Sequence, residues 1–220
     1  MDSRTRLVAP VLVAAAICSW QSAHACGGVT AYSGRATVVN AQANLLKSST
    51  KVVVADTGEI DPTGATRDAT VVTFDNPAPT EVHSQTLSAV ASGDNDVSAA
   101  SAAVQKLVIK AHGVTIKADL IEADSEARCH EDSMTVSTAG MANLVNLTIN
   151  GKGITWNHKV NDKRTLIGIG TLIMNEQTHP DVNTISVNAI HLIIPGVAGV
   201  AGADIVISHA QSGILTCPCL

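Results

Sequence analysis

Three short clusters in this chain carry residue types that bind metals or move protons. Gly93-Asp94-Asn95-Asp96 places two carboxylates and an amide within four residues, and calcium takes clustered oxygen ligands of this kind. The later bidentate glutamate of an EF-hand loop is missing, and Asp and Asn favour turns on their own account. Asp94, Asn95 and Asp96 are therefore expected as a polar turn first and as a calcium site second. Cys129-His130-Glu131-Asp132 would suit zinc if Cys129 were a thiolate. In an oxidising compartment Cys129 is instead expected in a disulfide, with the next three residues in a solvated loop. Glu176 and His179 stand three apart and on a helix would share a face for a metal or a proton relay. Asn175, Thr178 and Pro180 indicate a loop there, with Glu176 expected to fix the turn through backbone amides.

The remaining histidines give no motif. His83, His112, His130, His158, His179, His191 and His209 lack the His-Glu-x-x-His spacing, and His191 and His209 fall in strand-like runs where satisfied structural histidines are the expectation. No Gly-x-Ser-x-Gly elbow, phosphate loop or dinucleotide fingerprint is present. A Ser-His-Asp triad assembled from distant residues stays open, because triads are recognised by geometry and not by spacing. No cofactor is expected.

The elements that must position these groups read as strands. Val114, Ile116, Ala118 and Leu120 alternate with Thr115, Lys117 and Asp119, and the parity flips at Ile121, which suggests a β-bulge. Leu87, Ala89 and Ala91, and later Ile185, Val187 and Ala189, repeat the alternation. Ala99 to Val104 is Ala-rich, but a Ser-rich entry and a β-branched exit favour a strand over a helix. Asp61-Pro62-Thr63-Gly64, Asn76-Pro77-Ala78-Pro79, Gly93 to Asp96, Asn150-Gly151 and Pro195-Gly196 read as turns. Asn150-Gly151 is the sharpest hairpin signal. Leu107–Ile116 and Leu147–Trp156 form one ungapped internal match, each reading strand, turn, strand. The fold class expected is all-β: an antiparallel β-sandwich with long strands, hairpins and little helix.

A charged start with Arg4 and Arg6, an apolar run from Leu7 to Trp20 and Ala23-His24-Ala25 form a secretory leader. The apolar run is shorter than the roughly 20 residues of a spanning helix. Residues 1–25 are thus expected as a signal peptide and 26–220 as a single β-sandwich domain, secreted to an extracellular or periplasmic location. A lipid-modified cysteine would stand where Cys26 stands, but Ala23 and His24 do not match a lipobox. Cys26, Cys129, Cys217 and Cys219 remain after cleavage, an even number. A bridge within Cys217-Pro218-Cys219 would be strained, so Cys129 is expected to pair with one C-terminal cysteine and Cys26 with the other. The net charge of −5 gives no electrostatic reason to bind nucleic acid. Aromatics make up 2% of residues, so the core must be aliphatic, and a sugar-binding module is disfavoured, because such sites usually stack rings on aromatic faces.

Several stretches in series resemble the bacterial choice-of-anchor P family. They are Ala31-Tyr32-Ser33-Gly34-Arg35-Ala36, Ala55-Asp56-Thr57-Gly58, Leu147-Thr148-Ile149-Asn150-Gly151, Asn175-Glu176-Gln177-Thr178, Val187-Asn188-Ala189-Ile190-His191 and Ala203-Asp204-Ile205-Val206-Ile207-Ser208. The resemblance implies a secreted domain of unknown activity without catalytic residues to carry over. It also implies a disulfide between a mid-chain and a late cysteine, places held here by Cys129 and by Cys217 or Cys219. The chain lacks an LPXTG or PEP-CTERM tail, so free secretion is expected. Together these readings predict a secreted structural or cell-surface-associated protein, with self-association or a surface partner. The alternative is an extracellular ligand- or calcium-binding module, and a hydrolase comes third.

Overall fold

The computed structural model describes residues 30–45, 48–76, 81–111, 113–196 and 202–218. The expected leader, Cys26, His112, Cys219 and the centre of the expected Asn76-Pro77-Ala78-Pro79 turn lie outside the described residues. The chain opens with β1 (Ala31–Leu45) and β2 (Ser48–Asp56). It then runs through β3 (Thr66–Val71), β4 (Phe74–Asn76), β5 (Glu81–Ser84), β6 (Leu87–Asp94), β7 (Val97–Ala111), β8 (Val114–His130), β9 (Thr135–Val145), β10 (Thr148–Ile149) and β11 (Lys152–Gly153). It closes with β12 (Asp162–Leu166), β13 (Gly170–Thr178), β14 (Thr184–Ile194) and β15 (Gly202–Thr216). Among these residues no helix is long and apolar enough to cross a membrane.

Two antiparallel sheets result, as the alternation predicts. The first has the order β12-β13-β14-β15-β1-β2, so the first and last strands of the fold are neighbours. The second is built on the long β7–β8 hairpin. β6 and then β5 pair along the free edge of β7, while β9 and then β10 pair along the free edge of β8. The Ala-rich stretch from Ala99 lies in β7, because small residues on a strand let a facing sheet come close.

The parity flip at Ile121 belongs to a larger feature. Gln105 pairs with Leu120 and Leu107 with Ala118, so Lys106 and Asp119 drop out of register together. In the first sheet Ala55, Val38, Ser208, Ala189 and Asn175 drop out of register in the same way, forming one line across five adjacent strands. Positive φ angles at Ala55 (50°), Ser208 (54°), Asn175 (49°) and Lys106 (51°) mark the breaks. Such irregularities bend a strand and increase its twist. In the first sheet they turn two consecutive residues inward in each strand, whereas in the second Gln105 and Lys106 both face solvent. Val38 and Val39, Ala189 and Ile190, and Ile207 and Ser208 are all fully buried.

The core between the sheets is aliphatic, as composition requires. Leu87, Leu107, Ile109, Ile116 and Ile121 from one sheet meet Leu172, Met174, Ile190, Leu192, Ile205 and Ile207 from the other. Toward the β6–β7 turn the inward residues become Ala91, Ala100, Ala123, Ala127 and Ser125, and the sheets approach closely. Ser125 and Ser212 bond hydroxyl to hydroxyl across the gap at 2.8 Å, and the Ser98 hydroxyl donates to the Ser33 carbonyl at 2.7 Å. A Cβ on Gly140 would lie 2.4 Å from Val187 Cγ2, so only glycine fits there. At this thin end Cys129 and Cys217 form a disulfide with a Cα separation of 5.4 Å, joining the end of β8 to the residue just past β15.

Candidate functional site

The expected calcium cluster is a hairpin turn. Asn95 and Asp96 connect β6 to β7 with φ of 47° and 63°, the double positive φ of a two-residue turn that Asn and Asp tolerate. The Asp94 carboxylate takes the Asn95 amide at 2.7 Å, Asp96 takes the Thr30 hydroxyl, and the Asp96 backbone N–H donates to the Tyr32 hydroxyl at 3.3 Å. The carboxylates bond locally and do not converge on a common point. Among the described residues no group of three or more His, Cys, Asp or Glu side chains is placed to hold a metal.

His130, Glu131 and Asp132 lie at the exposed β8–β9 turn, with His130 bonded to Ser137 at 2.8 Å. Asn150 and Gly151 form the β10–β11 turn with φ of 48° and 75°. Asn146, of the Asn146-Leu147-Thr148 sequence, sits in the break between β9 and β10 and donates to Asp119 at 2.6 Å. The expectation for Glu176 is corrected. It lies within β13, not in a loop, and it is separated from His179, which bonds Thr138 at 3.3 Å.

Glu176 instead ends a row of polar side chains across the outer face of the first sheet. Asp56, Thr37, His209, Asn188 and Glu176 are successive register partners in β2, β1, β15, β14 and β13. Each stands next to a residue of the transverse break. The Thr37 hydroxyl donates to Asp56 at 3.0 Å, His209 Nδ1 bonds the Asn188 carbonyl oxygen at 2.7 Å, and the Asn188 amide donates to Glu176 at 2.7 Å. Arg35 grips Asp56 through two nitrogens at 2.8 and 2.5 Å and holds its carboxyl down to about 2. His191 bridges Glu176 at 2.8 Å and Asp204 at 3.1 Å. The hydrogen bond to Glu176 raises the His191 pKa against the opposing effect of burial. Burial lowers the His209 pKa, and the Arg35 charge adds to that. One histidine is thus favoured as a cation and the other as a neutral ring, two residues of the same network with opposite proton preferences.

The row stiffens the bent sheet, because polar networks are strongest when every member is satisfied. Both ring nitrogens of His191 are taken by carboxylates. Among the described residues no histidine bonds a carboxylate and a Ser, Thr or Cys hydroxyl or thiol at once.

The outer face of the second sheet differs in character. Met141, Asp124, Ser101 and Val90 are successive partners across β9, β8, β7 and β6, and Ala139, Glu126, Ala99 and Ser92 form the next row. Small side chains on β7 leave a trough of about 390 Å³ between the exposed Met141 and Val90. Sequence reasoning missed both surfaces. Each depends on which strands become neighbours, although the Ala and Ser alternation of β7 was the visible sign of the trough. Compared with known proteins, the chain matches no family model, no curated protein and no solved structure.

Proposed function

We propose that this chain is an exported, disulfide-stabilised structural domain of the choice-of-anchor P kind that associates head to tail with copies of itself. The observation that carries this reading is a complementary pair of features on one molecule. The trough is lined by apolar side chains together with the carboxylates Asp124 and Glu126; among the described residues Asp124 has no ion pair, Glu126 is paired with Arg128 at 3.1 Å, and Glu122 stands one alternate residue along β8 outside the trough. The β12–β13 turn supplies the counterpart. Ile167 is 95% exposed at its tip, and exposed Lys163 precedes it on β12.

An aliphatic tip seated between Val90 and Met141 removes apolar surface on both sides from water, worth about 1.5–3 kcal/mol for one fully buried side chain. Lys163 then follows the tip at about 13 Å (four residues at about 3.3 Å each) alongside the β8 carboxylates. Tip and trough sit toward opposite ends of the sandwich. Leu166 pairs with Gly170 beside Ile193 and Asp204, whereas Ser125 of the trough lies against Ser212. Along β15 those levels are about 26 Å apart. A contact between two different patches does not close on itself and propagates as an open chain unless its rotation forms a ring.

The test is the mass of the purified protein by light scattering over a concentration series without reductant. Growth of mass with concentration, lost in Ile167→Asp and weakened in Asp124→Lys, is the expected result. Partial recovery in the charge-exchanged pair Asp124→Lys with Lys163→Glu would identify the two patches as partners. A mass that stays at one chain at every concentration would overturn the reading.

A further inference from the structure

The trough carries one side chain that is open to covalent change. Met141 lines its wall and is 58% exposed. Among the described strands β9 pairs only with β8, so the Met141 side chain is reachable from the free side of the sheet. The other methionines outside the expected leader differ. Met134 is 62% exposed but sits in the β8–β9 turn and does not line the trough, and Met174 is fully buried in the core. Met141 is thus the one exposed methionine on the surface that seats the Ile167 tip.

Hydrogen peroxide oxidises an exposed thioether with no further reactant. A sulfur lone pair attacks one peroxide oxygen and the O–O bond breaks. The proton on the transferred oxygen passes to the departing hydroxide, which leaves as water. Sulfur gives up two electrons, peroxide accepts them, and an apolar side chain becomes a polar sulfoxide. The new oxygen is an acceptor, and the side chains of the trough offer it no donor within reach. Asp124, directly opposite Met141 on β8, is itself an acceptor. Ser101 and Ser92 stand two and three strands away, about 10 and 14 Å across the sheet. The Ser125 hydroxyl is turned inward to Ser212.

We infer that Met141 is an oxidation site through which peroxide switches the head-to-tail contact off. The inference rests on the trough being the docking surface for Ile167. With a thioether at Met141, apolar groups close on the aliphatic tip from both walls. With a sulfoxide there, docking must bury a polar oxygen beside the Asp124 carboxylate, and an acceptor buried without a donor weakens association about tenfold or more. The fold is untouched, because Met174 and the aliphatic core are shielded. Methionine sulfoxide reductases reverse the change, so the contact can be restored.

The test uses Met134→Leu, which leaves Met141 as the one exposed methionine outside the expected leader. Light scattering follows mass against concentration before hydrogen peroxide, after it, and after incubation with the reductases for both sulfoxide epimers. Peptide mapping should show a gain of about 16 Da on the Met141 peptide and none on the Met174 peptide, with the melting temperature unchanged. The concentration at which mass grows should rise about tenfold or more on oxidation and return on reduction. Met141→Gln, which puts a polar group at the same place, should show the shifted growth from the start and no response to peroxide. Growth before peroxide that is identical after Met141 has become the sulfoxide would overturn this inference alone. A mass of one chain before peroxide would overturn the docking reading and this inference with it.

Discussion

Removing the Cys129–Cys217 bridge tests how the thin end of the sandwich is held. The bridge joins residues 88 apart in sequence. Closing a loop of that size takes about 4.6 kcal/mol of chain entropy out of the unfolded state. The bridge lies where little else competes with it, since the inward residues nearby are Ala100, Ala123, Ala127 and Ser125 and contribute less apolar area than the Leu and Ile of the thick end. At about 2–4 °C per kcal/mol for a domain of this size, the double variant Cys129→Ala with Cys217→Ala should melt about 9–18 °C lower. Circular dichroism and calorimetry on the non-reduced protein measure this directly. A loss below about 3 °C would mean that pairing of β15 between β14 and β1 already restrains the C-terminal end, and the loop-entropy reasoning would fail.

Two further predictions concern the sheets. Gly140→Ala would place a methyl 2.4 Å from Val187 Cγ2 and 3.0 Å from Ile185 Cδ1, overpacking worth about 1–3 kcal/mol, read as a shift in denaturation midpoint at unchanged slope. Stability should peak near pH 6.5, the ordinary histidine value. Above it the unfolded His191 loses a proton that the folded one keeps, so stability falls as pH rises through the raised value. Below it the unfolded His209 gains a proton that the folded one resists, so stability falls as pH drops toward the lowered value. His191→Gln should flatten the alkaline limb and leave the acid limb, and an unchanged alkaline limb would contradict the assignment.

The strands were legible because alternation is a local property. β6 and the first half of β8 follow the pattern read from Leu87 and Val114, and in β14 Ile185, Val187 and Ala189 are buried as read, although Thr184 and Ser186 are buried beside them. The flip at Ile121 was legible for the same reason, since Leu120 and Ile121 stand side by side in one strand. Its extension across both sheets was not, because Val38, Ala55, Asn175, Ala189 and Ser208 meet only through pairing. Glu176 was misplaced because Asn175, Thr178 and Pro180 carry loop propensity. Its partners Asn188 and His191 on β14 hold it in a strand, an instance of tertiary context overriding a weak local preference. In Gly93 to Asp96 the competing signals came from the same residues, and hairpin geometry accounts for both positive φ values without a cation.

The measurement that tests the central claim most directly is light scattering of the protein from culture fluid, unaltered and as Ile167→Asp, across a hundredfold range of concentration. The account predicts masses that climb with concentration for the first and remain at one chain for the second. Equal masses for the two proteins at every concentration would contradict it.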